Sequence, residues 1–166
     1  SELMPLDKYE WSEKYVWLQD KFGVNWQLSY GGFELIDQKI SIMLMFTGEK
    51  AGRAEQAINF YTSVFGTGSD IIGIARYSRD DNDTEGTIKH AEFKLGHQAF
   101  MAIDSSYMHQ FGFNEAVSIV VECDTQEEID YFWDKLTEGG EEVQCGWLKD
   151  RYGVSWQIVP VILGKL

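Results

Sequence analysis

His90, His97 and His109, the chain's three imidazoles, fall in or beside expected turns and show no regular metal-ligand spacing. The carboxylates of "SRDDNDTEG", Asp80, Asp81, Asp83 and Glu85, invite a calcium reading, but they lack the central Gly and terminal Glu of a calcium-binding loop. They read as a solvated loop. Cys123 and Cys145 lie in apolar surroundings without a CxxC pair, which points to two buried or half-buried thiols in a reducing compartment. Cys123 could draw on His109 or Asp124, yet burial without a paired cation raises a thiol pKa and leaves it inert. Ser155, in "GVSWQ", has neither a GxSxG elbow nor an identifiable base. No Gly-rich loop follows a strand and opens a helix to hold a nucleotide cofactor. The reading therefore assigns no catalytic residue, no metal ligand and no cofactor.

Binding chemistry is better represented. In "SSYMHQFGFNE", Tyr107, Met108, Phe111 and Phe113 stand beside Ser105, Asn114 and Glu115, a mixture suited to an apolar ligand with a few polar anchors. In "SWQIV", alternation puts Ser155, Gln157 and Val159 on one face and Trp156 and Ile158 on the other. A buried Gln157 amide would need a polar neighbour or a ligand.

Elements that could position these groups follow from the pattern. "KISIMLMF", residues 39–46, has the length and apolarity of a central strand. From Arg53 to Phe65, Ala54, Ala57, Ile58, Tyr61, Val64 and Phe65 recur at three and four, a helical stripe ended by Gly66. "DIIGIARY", "TIKHAEFKL" and "QAFMAID" read as strands, the last two joined by a turn at Gly96-His97. "AVSIVVEC" is again strand-like. The helix of "DTQEEIDYFWDKLTEGG" starts at Asp124 or Thr125, carries acidic residues in its first turn, and buries Ile129, Phe132, Trp133 and Leu136. "EEVQCGWLKDRYGVSWQIVPV" supplies up to three short strands. The order is strand, helix, three strands, written twice, and the helices align at an offset of about 72 residues, an internal duplication. Two four-stranded sheets, each backed by a helix on the outside, would leave a cleft between them.

Composition bounds the partners. With 166 residues and 44% hydrophobic content, one core is expected. A formal charge of −13 opposes attraction to phosphate backbones and anionic bilayers. No stretch reaches the roughly 20 apolar residues of a membrane span. The reading is a soluble, cytoplasmic protein with a small-molecule ligand and neither nucleic acid nor membrane as partner.

A second repetition lies outside the modules. "WLQDKFGVNWQL" at residues 17–28 and "WLKDRYGVSWQI" at 147–158 share seven identical positions, and the other five exchange like for like. Residues 15–30 therefore read as two strands around a turn at Asp20 to Gly23, whereas Ser1 to Asp7 show little periodicity. Trp26 is expected to be buried in the way Trp156 is, with Gln27 on the side corresponding to Gln157.

The element order, with "EQAINFYTSVFG", "FNEAVSIVVEC", "YFWDKLTEGG" and "CGWLKDRYGVSWQIVP", resembles the PhnB-like branch of the vicinal oxygen chelate superfamily, the glyoxalase, bleomycin-resistance and extradiol dioxygenase fold. The resemblance spans about residues 39–162. It implies an α+β fold of paired βαβββ modules with an extra N-terminal β-hairpin. Residues 39–166 would be a complete domain, and 1–38 a hairpin segment plus linker resembling the end of a preceding tandem domain. A decorative N-terminal extension is the alternative. A hairpin needing cover also makes a homodimer or segment exchange an expectation.

Metal-dependent relatives hold an ion with His, Gln or Glu from the first and fourth strands of each module. Here "ISIMLMF", "AFMAI" and "AVSIVV" offer no imidazole or carboxylate, and Gln157 stands where the family has a Glu ligand. One neutral oxygen among apolar neighbours does not hold a free divalent ion. The branch also carries a ubiquinone-pathway methyltransferase label, which the missing Gly-rich loop does not support. Three classes remain: a small-molecule binding module without a metal centre, with Gln157, Ser155, Tyr107, Phe111, Phe113, Asn114 and Glu115 as ligand contacts; a metal-dependent lyase, isomerase or dioxygenase; and a structural or interaction protein whose cleft is filled by its own side chains.

Overall fold

β-Branched and aromatic residues alternating over short runs make strands, and apolar residues at three and four make helices. The computed structural model describes residues 1–30 and 38–162. The chain divides into two compact units, Ser1–Lys39 and Ile40–Leu166.

The first unit is a three-stranded antiparallel sheet of β1 (Glu2–Tyr9), β2 (Ser12–Gln19) and β3 (Asn25–Tyr30), in that order. The expected hairpin is β2–β3. The strand preceding it corrects the reading of Ser1 to Asp7. Register shifts at three points along the β1–β2 pairing break the alternation of exposed and buried positions, so period two is absent from the sequence of β1. Tyr9, Trp11 and Tyr15 close one end, with ring centroids 5.0, 5.5 and 5.7 Å apart.

The second unit carries the duplication. Its first half is β4 (Ile42–Phe46), α1 (Ala54–Phe65), β5 (Asp70–Arg76), β6 (Ile88–Leu95) and β7 (Gln98–Asp104). Its second half is β8 (Ser118–Cys123), α2 (Gln126–Thr137), β9 (Glu141–Glu142), β10 (Trp147–Lys149) and β11 (Ser155–Pro160). The sheets run β4-β7-β6-β5 and β8-β11-β10-β9, and in each the first and last strands of the half pair in parallel. The expected α+β fold of two sheet-and-helix modules with an extra N-terminal hairpin is present.

A single core joins both halves, including Phe46, Ile58, Tyr61, Phe93 and Phe100 from the first and Leu136, Leu148, Trp156 and Ile158 from the second. α1 crosses the boundary: the Tyr61 and Phe65 rings lie 5.3 and 5.7 Å from Trp156. The two helices touch where Phe65 meets Phe132 and the Tyr131 hydroxyl donates to Val64 O. Each otherwise packs on sheet. In α2, Leu136 is buried while Ile129, Phe132 and Trp133 pack on the core half-covered.

Cys123 is buried, as expected, but Cys145 is exposed, which corrects the expectation of two covered thiols. Cys145 and Gly146 both have left-handed backbones, φ 59° and 80°, which turn the chain into β10 with the thiol outward. A Cβ at Gly146 would lie 2.5 Å from Ile158 O. The charged 78–86 loop is internally bonded: Asp81 accepts from Ser78 N at 2.7 Å and pairs with Lys89.

Candidate functional site

Each sheet turns one face to the helices and the other away. On the first sheet Leu44, Ala102, Ala91 and Phe93 form the helix side, so alternation places Met43, Met101 and Glu92 on the open side. Register aligns them in one row across the sheet: Met43 beside Met101, Met101 beside Glu92, Glu92 beside Gly73. Glu92 is only 7% exposed, and its Oε2 finds no hydrogen-bond partner among the described residues. Burial raises its carboxyl above the ordinary value of 4.5. A Cβ built on Gly73 meets nothing within 4 Å, so space adjoins the carboxylate on its free flank. His90 follows on the same face, and burial lowers its pKa, which favours the neutral imidazole.

Sequence reasoning missed Glu92 because a charge between the apolar beats of "TIKHAEFKL" reads as solvent-facing. The available signal was a joint one. If the paired strands present Met43 and Met101 on the same face as Glu92, that carboxylate adjoins a thioether on one flank instead of a polar side chain.

The second sheet's open side carries Gln157, aligned with Val120 on one flank and Trp147 on the other. Gln157 is half-buried and its Nε2 donates to Ser118 Oγ at 2.6 Å. Ser155 is buried, with Oγ 3.5 Å from Asn114 O, while the Asn114 side chain accepts from Ala116 N at 2.8 Å. Glu115 pairs with Lys149 at 2.6 Å, which holds its carboxyl below the usual range. Gln157 thus has the polar neighbour that its amide requires.

Phe111 and Phe113 are elsewhere, in the wall of a depression of about 290 Å³ with Thr47, Lys50, His109 and Tyr152. Thr47 Oγ1 donates to Phe111 O at 3.1 Å, and His109 shares a 2.9 Å hydrogen bond with Ser105. Tyr107 is distinct again, its hydroxyl donating to Asn82 O at 2.8 Å. The seven residues expected to contact ligand are therefore held in three local groups: Gln157 with Ser155, Asn114 and Glu115; Phe111 with Phe113; and Tyr107 alone.

The donor set does not fit the divalent ion of metal-dependent relatives. The open-side residues of the relevant strands are Met43 and Met45, Met101 and Ile103, and Ser118, Val120 and Glu122, so the metal-competent side chains are Gln157 and, at the exposed end of β8 beside Val159, Glu122. Among the described residues no three His, Cys, Asp or Glu side chains are grouped to hold an ion. Cys123 is no better a nucleophile, since burial and then the Glu128 and Asp124 charges push its thiol up.

The chain is similar, from residue 38 to 159, to the family model described as 3-demethylubiquinone-9 3-methyltransferase. The PhnB protein of Bacillus cereus, given the same methyltransferase description, is 44% identical, with TM-score 0.68 over 75% of this chain and 100% of that one. Protein PA1353 of Pseudomonas aeruginosa is 21% identical, with TM-score 0.55 over 73% of this chain and 97% of that one, a likeness of fold. No curated protein matches. The matched span, the shared module order and the relative at 44% identity make this chain a member of the 3-demethylubiquinone-9 3-methyltransferase family, in the PhnB-like branch of the glyoxalase and bleomycin-resistance superfamily.

Proposed function

We propose that the chain is a small-molecule binding module whose ligand has an apolar body and a cationic or N–H donor group. The observation that supports this is Glu92, a carboxylate 93% covered with an oxygen lacking a partner among the described residues, set between Met101 and open space at Gly73. Leaving such an oxygen unbonded costs roughly 1–3 kcal/mol, and a ligand donor removes that cost. Thioether side chains beside it adapt to varied apolar shapes. Gln157 and Ser155 on the second sheet are the further contacts in this reading, and Phe111 and Phe113 enter it as the wall of a second, separate depression. Tyr107, Asn114 and Glu115 enter it as the framework of their loop. The family's methyltransferase description is not adopted, because the chain has no Gly-rich strand-to-helix loop for a nucleotide cofactor.

The test compares alkyl and aryl-alkyl amines with their neutral alcohol counterparts, by thermal shift and then calorimetry. Amines are expected to bind at least about tenfold more tightly, a difference of about 1.4 kcal/mol. Glu92→Gln should abolish that preference, and Gln157→Leu should lower affinity for both series. Equal binding of amines and alcohols, or no binding by either, would reject the reading.

A further inference from the structure

The repeated sentence is repeated in three dimensions, and one copy lacks the cover that the other has. In the second unit β10 pairs with β11 as Trp147 with Gln157, Leu148 with Trp156 and Lys149 with Ser155. In the first, β2 pairs with β3 as Trp17 with Gln27, Leu18 with Trp26 and Gln19 with Asn25. Every residue differs by 130 in number, so the register is the same. The turns also agree. Asp150 Oδ1 accepts from Tyr152 N and Val154 N at 2.8 and 3.0 Å, and Asp20 Oδ1 accepts from Phe22 N and Val24 N at the same two distances. Oδ2 of each takes the indole N–H of its own tryptophan, Trp156 at 2.8 Å and Trp26 at 3.0 Å. Gly153 and Gly23 share the left-handed backbone, φ 93° and 88°, that this turn requires.

The difference is α1. In the second unit the Tyr61 hydroxyl donates to Asp150 Oδ2 at 2.7 Å, and Phe60 and Tyr61 lie against Tyr152 with centroids 5.9 Å away. Arg151 stacks on Phe60 at 4.7 Å. Asp20 Oδ2 receives the Trp26 N–H and, among the described residues, no tyrosine hydroxyl. Phe22 is 80% exposed where Tyr152 is 7%, and Trp26 is 40% exposed where Trp156 is fully buried. Val24 and Leu28 are likewise exposed where Val154 and Ile158 are covered. A turn this closely matched, with its apolar side in water, retains the shape that receives a helix.

We infer that the Phe22, Val24, Trp26 and Leu28 face is the docking site for an amphipathic helix with the aromatic spacing of α1, Phe-Tyr-x-x-x-Phe, whose tyrosine donates to Asp20 Oδ2. The occupant is the helix of a partner module of this type and not that of a second copy of this chain, whose α1 is already committed to its own Asp150 turn. Lys21, standing where Arg151 stands, supplies the cation for its phenylalanine.

The test leaves the full chain intact and tethers residues 51–68 to its N-terminus through a flexible linker of about 20 residues, which raises the local helix concentration to the millimolar range. Amide exchange at residues 18–28 and the Trp26 indole resonance are read by NMR. Tethering should slow exchange at Val24 and Leu28 at least about tenfold and shift the Trp26 N–H. Tyr→Phe at the tyrosine of the tethered copy should return most of that protection without touching the chain. Rates unchanged by tethering, or slowed equally with the Tyr→Phe tether, would overturn the inference. So would protection already present in the untethered chain and lost on dilution, because the face would then be occupied by a second copy.

Discussion

Asp150 and Asp20 accept from the same three kinds of donor, yet their carboxyls shift in opposite directions. For Asp150 burial is the largest influence and raises the pKa despite the bonds from Tyr61 and Trp156. For Asp20 the Trp26 N–H leads and lowers it. Identical local chemistry is thus read through different surroundings. Replacing Tyr61 by Phe takes a donor from the buried carboxylate and should destabilise by roughly 1.5–3 kcal/mol, seen as a lower urea midpoint; an unchanged midpoint would contradict the bond's importance. Glu92 carries the pH-dependent prediction. Its folded carboxyl is raised above 4.5, so above that pH the native state keeps a proton that the unfolded chain has released, and stability falls until the folded pKa is passed. Glu92→Gln, which cannot titrate, should match the parent below pH 4.5 and be the more stable of the two at neutral pH. Thermal melts across that range would reveal a flat difference if the premise is wrong.

At the scale of elements, the two helices begin in different ways. Thr125 caps α2 by accepting from Glu128 N at 3.2 Å, and Glu128 Oε2 accepts from Asp124 N at 2.7 Å, a local arrangement legible in "DTQEE". α1 has no side-chain cap of its own at Arg53. Asp104, at the end of β7, accepts from Ala54 N at 3.1 Å and also from Ile88 N at 3.0 Å. That partner lies 50 residues away in sequence, so no local pattern announces it. Thr125→Ala should cost about 1 kcal/mol, whereas Asp104→Ala should cost roughly 2–4 kcal/mol because two buried donors lose their acceptor. Equal losses in chemical denaturation would show that the remote cap has no special weight.

For the molecule as a whole, the absence of a suitable donor set leads to the expectation that purified protein holds no stoichiometric Zn, Ni, Mn or Fe. Elemental analysis is the measurement, and about one ion per chain, lost on changing Gln157 to Ala, would overturn it. No helix among the described residues is long and apolar enough to cross a membrane. Both sheets contribute to one core and α1 bridges the halves.

The amino-acid sequence by itself determined the strand and helix order, the duplicated module, the α2 cap, and the likeness of residues 17–28 to 147–158. These are periodicities and short-range bonds, carried by neighbours along the chain. It did not reveal β1, because shifted pairing erased the alternation, nor the exposure of Cys145, which follows from two consecutive left-handed residues. Two decisions about function belong to tertiary structure alone. Glu92 is buried on a row that β4, far from it in sequence, completes with Met43, and Trp156 is buried while Trp26 is exposed because α1 lies over one copy of the turn. Burial is set by which surfaces meet across the fold, and a residue's own sequence neighbours do not specify that meeting.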